Sequence, residues 1–136
     1  MRKLLALAVV ATLTPGVAAT QRTAPSIDQI IGLTRPGAVA LSPDGTRVAF
    51  TVTETNWDEN AYETEIFLAR AEGGEPLQIT RAKKSSLSPA WSPDGQWLAF
   101  ISDRTDKRQL YVISPLGGEA IALTNVDEGV GAFRWS

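Results

Sequence analysis

The side chains that carry most hydrolytic and redox chemistry are missing from this chain, which has no histidine and no cysteine in 136 residues. Without histidine there is no ordinary general base for a serine nucleophile and no imidazole metal ligand. Without cysteine there is no thiolate nucleophile, no thiolate zinc site, no disulfide framework and no lipid attachment point. What remains is carboxylates. Asp44 and Asp94 form one pair by spacing, but each stands in a Ser-Pro-Asp-Gly run, where aspartate is a turn residue. Asp103 and Asp106 lie together in SDRTDKR. They lack the alternating acidic spacing and closing glutamate of a calcium loop, so a hairpin loop is the expectation. Trp57, Asp58, Glu59 and Glu63 sit in a polar stretch, TETNWDENAY. Carboxylates in a desolvated cleft could hold an ammonium group, but a solvated loop or a contact between domains is the expectation for them. On this reading no catalytic, cofactor-binding or metal-ligating residue is assigned.

The elements that position these residues follow from a repeat. Ser42-Pro43-Asp44-Gly45 recurs as Ser92-Pro93-Asp94-Gly95, and Ala49-Phe50 as Ala99-Phe100. Gly73-Gly74-Glu75 recurs as Gly117-Gly118-Glu119, Ile79-Thr80 as Leu123-Thr124, and Trp91-Ser92 as Trp135-Ser136. The first two matches are offset by 50 residues and the rest by 44, so the first copy carries about six extra residues within Thr53 to Tyr62. Each copy holds four short strand signals. In the first they are Val39 to Ser42, Arg47 to Thr53, Glu65 to Ala69 and Leu77 to Thr80. In the second they are Pro89 to Ser92, Trp97 to Ser102, Gln109 to Ser114 and Ala120 to Leu123. Val48, Phe50 and Val52 alternate as a half-buried strand requires. A period of about 40–45 residues with four strands is the signature of a propeller blade.

The expected fold is therefore all-β: a partial β-propeller of two four-stranded antiparallel blades and the first strand of a third, preceded by a short helix. Residues 38–80 form blade one and 81–124 blade two, and 125–136 open a third at Phe133 to Ser136. Trp91 and Trp135 occupy equivalent positions and read as inter-blade packing. Trp97 faces Arg47 in the alignment of copies and reads as partly exposed. Arg81, Lys83 and Lys84 read as a solvated loop between blades. The helix belongs to residues 20–37, with Ser26 and Gln29 as a capping box, an apolar face of Ile27, Ile30 and Ile31, and Arg35-Pro36-Gly37 as its stop.

Residues 1–19 read as a signal peptide: a basic Met1-Arg2-Lys3, an apolar Leu4 to Leu13 and a small-residue exit with cleavage after Ala19. The apolar run is short of the roughly 20 residues of a membrane span. The mature chain is expected to be secreted or periplasmic, without a membrane anchor. Losing Arg2 and Lys3 takes the formal charge from −2 to −4. A mildly acidic chain without a basic cluster is not a nucleic-acid binder.

The strings LSPDGTRVAFTVTETNWDEN, ITRAKKSSLSPAWSPDGQWLAFISDR and QLYVISPLGGEAIALT resemble the propeller of the prolyl oligopeptidase family of serine peptidases, in its bacterial acylaminoacyl-peptidase and dipeptidyl-peptidase branch. The resemblance runs from about Ser26 to Ser136. It implies that the propeller covers an α/β-hydrolase domain and filters peptide substrates by size. That domain carries the Ser-Asp-His triad, and none of it is in this chain. Peptide would thus be a partner only through the missing domain, and the chain reads as a fragment of a longer parent. The alternative is a TolB-like periplasmic propeller acting as a non-enzymatic binding module. Two blades cannot close a ring. Self-association through an uncovered blade face is therefore expected, with Leu98, Phe100, Leu110 and Val112 on the uncovered side.

Overall fold

The structure, a computed structural model, describes residues 30–136. The expected signal peptide and the Ser26–Gln29 capping box lie outside the described residues. Ile30 and Ile31 make a single turn closed by Leu33 N–H donating to Ile30 O at 3.4 Å. The residues expected to stop a helix, Arg35-Pro36-Gly37, instead open a strand.

Eight strands follow: β1 (Arg35–Leu41), β2 (Arg47–Asn56), β3 (Ala61–Arg70), β4 (Leu77–Gln78), β5 (Ser86–Trp91), β6 (Leu98–Thr105), β7 (Lys107–Ile113) and β8 (Ile121–Ala122). They form two four-stranded sheets in the orders β1-β2-β3-β4 and β5-β6-β7-β8, with every pairing antiparallel. These are the two blades. β1 starts four residues earlier than its sequence signal because Pro36 pairs with Val52 at an edge, where a missing N–H costs no ladder bond. The register then shifts between Pro36 and Val39, as it does again between Leu87 and Ala90 in the second blade.

The Ser-Pro-Asp-Gly turns are built identically. Gly45 N–H donates to Ser42 O and Gly95 N–H to Ser92 O, each at 2.9 Å. Gly45 and Gly95 have φ of 71° and 69°, the left-handed region that favours glycine.

The six extra residues of the first copy do not form a loop. They lengthen the β2–β3 hairpin, whose ladder continues through Thr53–Thr64, Glu54–Glu63, Thr55–Tyr62 and Asn56–Ala61. The threonines support this extension, with Thr53 Oγ1 and Thr64 Oγ1 hydrogen-bonded at 2.8 Å. Only Trp57 to Asn60 turn, ending at Asn60 with φ 48°. In the second blade the β6–β7 hairpin turns at Asp106.

The core is one layer between the blades. Ala49, Ile66 and Leu68 from one face of the first blade join Leu98, Phe100, Tyr111 and Ile113 from the second, with Ile79 and Trp91. Burying each large apolar side chain contributes about 1.5–3 kcal/mol, so this layer is of the order of the whole net stability of a small domain.

The register corrects the expected uncovered face. Phe100 pairs with Tyr111 and Leu98 with Ile113, whereas Leu110 and Val112 pair with Ile101 and Ala99 on the other side of the sheet. Leu98 and Phe100 have 0% exposure and lie in the inter-blade core. Val112 is buried and Leu110 half-buried. The chain after β8 returns past the start of β7, where Val130 N–H donates to Arg108 O at 2.7 Å and Gln109 Nε2 to Val126 O at 2.8 Å. The open face belongs to the first blade. Its stacked Phe50 and Phe67 rings, 5.9 Å apart, repeat the Phe100–Tyr111 stack at 5.8 Å but are only half-buried. Val39 and Leu41 on β1 are 70% and 61% exposed.

Phe133 to Ser136 pair with no strand among the described residues, so the first strand of a third blade is not formed. Trp135 nevertheless takes its repeat position: its Nε1–H donates to Ala90 O at 3.2 Å, as Trp91 Nε1–H donates to Ala40 O at 3.0 Å.

Candidate functional site

The long β2–β3 hairpin and the connection from β4 to β5 enclose an open groove of about 760 Å³ beside the first blade. Alternation along the paired strands puts Val52, Glu54 and Asn56 on one face with Glu63, Glu65 and Phe67. Trp57, Asp58 and Glu59 form its tip, while Arg81 and Lys83 form the opposite rim. The Trp57–Glu63 cluster singled out in the sequence is thus brought together, and Arg81 and Lys83 prove to belong to the same groove. Lys84 is exposed outside it.

The tip is held by Asn56. Its Oδ1 accepts the N–H groups of Asp58 at 3.1 Å and Glu59 at 3.2 Å, and its Nδ2 donates to Glu63 Oε1 at 2.8 Å. That leaves Asp58 and Glu59 exposed and Glu63 fixed and half-buried.

Glu65, at the floor, carried no site signal in the sequence by itself. Its Oε1 accepts Ala82 N–H at 2.8 Å and its Oε2 accepts the Thr80 hydroxyl, whose oxygen in turn accepts Ile66 N–H at 2.8 Å. Burial pushes the Glu65 carboxyl above its ordinary value, and those two hydrogen bonds only partly offset this. The 44-residue offset could have found it, because it places Glu65 over Gln109 and Thr80 over Thr124. Arg104 was also missed. Its guanidinium lies 5.2 Å from the Phe100 ring centroid and 4.7 Å from that of Tyr111. It donates to Ser102 Oγ at 3.1 Å and Ser86 Oγ at 3.4 Å.

The other carboxylates are structural. Asp44 Oδ1 accepts Ser42 Oγ–H at 2.6 Å and Thr46 N–H at 3.0 Å, and its Oδ2 accepts Thr46 Oγ1–H at 2.9 Å. These bonds, that from Ser42 first, hold the carboxyl down to about 2. Asp94 repeats the pattern with Ser92 and Gln96, and its carboxyl is likewise lowered. Asp103 and Asp106 make the β6–β7 turn, closed by Asp106 N–H donating to Asp103 O at 3.1 Å. Asp103 Oδ1 is buried without a hydrogen-bond partner. Among the described residues no group of acidic side chains converges as metal ligands do. Trp97 is 38% exposed and makes no side-chain bond among those of the described residues, in keeping with its reading.

Chemically, the groove is an acidic surface with a cationic rim. It can hold an ammonium or a basic side chain, but it offers no nucleophile paired with a base.

Comparison with known proteins agrees with this picture. The model of the TolB beta propeller domain matches residues 19–136. An uncharacterized peptidase of Bacillus subtilis, YuxL, is 41% identical over 115 residues, which is 84% of this chain and 17% of that protein. The Tol-Pal system protein TolB of Desulfosudis oleivorans is 48% identical over 48 residues, 35% of this chain and 11% of that one. A solved acylaminoacyl peptidase, in complex with a chloromethyl ketone, superposes with a TM-score of 0.60 over 72% of this chain and 15% of its own, and at 21% identity this shows the fold. The chain spans less than a fifth of each of these proteins. The peptidase relatives bear out the resemblance to a peptidase propeller. The 44-residue repeat, the two four-stranded blades and the match along residues 19–136 show that the chain belongs to the TolB β-propeller family.

Proposed function

We propose that this chain is the propeller segment of a secreted serine peptidase, where it covers a catalytic α/β-hydrolase domain and filters the peptides that reach it. The observation that carries this reading is the 41% identity to a peptidase over 115 residues. An alignment of that length in a chain of 136 must include the extended β2–β3 hairpin. The acidic groove beside the hairpin then serves as a surface for the free amino end or basic side chains of peptides. The basic, apolar and small-residue pattern of residues 1–19 supports export to the periplasm or the medium. The second reading, a non-enzymatic binding module, draws on the 48% identity to a TolB protein, over 48 residues only.

A chimera decides between them. Residues 26–136 replace the aligned segment of the Bacillus subtilis peptidase. The expected result is a folded chimera that hydrolyses short peptides and spares long unfolded polypeptides, while this chain alone hydrolyses neither. A folded chimera that cuts both substrates at equal rates overturns the filtering role.

A further inference from the structure

The chain leaves the first blade through Ile79 to Ser85 and enters the second at Ser86. One side chain pins the start of that joint, because Glu65 accepts both the Thr80 hydroxyl and the Ala82 N–H. The same pin recurs where the chain leaves the second blade. Gln109 Oε1 accepts the Thr124 hydroxyl at 2.7 Å and Val126 N–H at 3.1 Å, and Leu110 N–H donates to Thr124 Oγ1 at 2.9 Å. The two pins tie equivalent residues but divide their bonds differently. Glu65 takes the Thr80 hydroxyl on Oε2 and the Ala82 N–H on Oε1, whereas Gln109 takes both equivalents on Oε1 and its amide nitrogen donates to Val126 O at 2.8 Å.

We propose that this exchange of amide for carboxylate makes the first joint responsive to pH while the second joint is not. In the neutral acid the Thr80 bond is kept with its direction reversed: the carboxyl O–H donates to Thr80 Oγ1, which also accepts Ile66 N–H, while the Thr80 hydroxyl proton gives up Glu65 as its acceptor and the other carboxyl oxygen still accepts Ala82 N–H. The ionised form keeps the same contacts but leaves a charge half out of water. Its surroundings are mixed. Glu63 lies two residues along β3, and Glu54 pairs with Glu63 from β2. Arg81 and Lys83 stand on the joint, Asp58 and Glu59 at the hairpin tip. Arg104 of β6 lowers the carboxyl only after burial and the two hydrogen bonds have acted. Burial dominates, so the folded carboxyl titrates above its value in an opened joint. A raised folded value means that the closed joint is favoured below the opened-state value and loosens as pH rises through the folded one.

Amide hydrogen exchange of the full chain, read by NMR between about pH 4 and pH 7 and corrected for intrinsic rates, tests this. Protection of the Ala82 amide is expected to fall with rising pH, about ten-fold for each unit separating the two Glu65 values. Protection of Val126 stays flat within the same molecule. In Glu65→Gln the Ala82 amide becomes as flat as Val126. If the variant does not fold, the Glu65 side-chain carboxyl signal of the unmodified chain supplies the titration directly. Ala82 protection that tracks Val126 across the range, or pH dependence retained in Glu65→Gln, overturns the proposal.

Discussion

Replacing Trp91 with phenylalanine tests how the two blades are held together. Trp91 is 8% exposed, belongs to the inter-blade core and donates its indole N–H to Ala40 O on β1 at 3.0 Å. Phenylalanine keeps an aromatic ring but removes that donor. Ala40 is half-buried, so water can reach its carbonyl. The cost is then the net hydrogen bond, about 0.5–1.5 kcal/mol, rather than full desolvation of an orphaned acceptor. The smaller ring leaves part of the indole volume empty, for about another 1 kcal/mol. Arg47 stands 5.9 Å from the indole centroid, at the limit of a cation–π contact, and adds no more than about 0.5 kcal/mol. The sum is about 1.5–3 kcal/mol, enough to move a urea midpoint by about 1 M for a protein of this size. Trp135→Phe loses a longer bond, 3.2 Å, from a half-buried ring and should cost less. Trp97→Phe, at a partly exposed position without a bond among the described residues, should stay within about 0.5 kcal/mol. Urea unfolding followed by far-ultraviolet circular dichroism gives all three numbers. A Trp91→Phe midpoint indistinguishable from that of Trp97→Phe refutes the reasoning, because the indole tie would then contribute nothing.

Two further outcomes follow from the turns and from the open face. Asp44 has its carboxyl depressed to about 2 by Ser42 and Thr46, so its contribution is present above the ordinary carboxylate value and is lost as pH falls toward 2; Asp44→Asn should flatten the dependence of the urea midpoint on pH between about 4 and 2, and an unchanged slope refutes it. Val39 and Leu41 stand exposed beside half-buried Phe50, Val52 and Phe67, so the chain should self-associate through this face, and Val39→Thr with Leu41→Gln should shift sedimentation toward the monomer; unchanged association in the double variant places the contact elsewhere.

The repeat, the blade architecture and the two Ser-Pro-Asp-Gly turns were legible because they rest on short-range rules. A serine, an aspartate and a glycine within four residues make their own hydrogen bonds, as Ser42, Asp44 and Gly45 do, whatever lies elsewhere in the chain. Alternation of apolar residues likewise marks a strand before its partner is known. Other features needed the tertiary structure because they depend on pairing and on neighbours distant in sequence. TETNWDENAY reads as a polar loop, and only cross-strand pairing turned most of it into a longer hairpin. Leu98 and Leu110 are both apolar strand residues, and only the register shows that they point to opposite sides of one sheet. Phe50 and Phe100 occupy the same position in their blades and differ in burial because one blade has a neighbour on that side. Glu65 and Gln109 look like ordinary polar strand residues until the sheets bring Thr80 and Thr124 against them. Local hydrogen bonding dictated the turns and the blades, and the packing of one blade against the next decided which faces, charges and joints those turns came to serve.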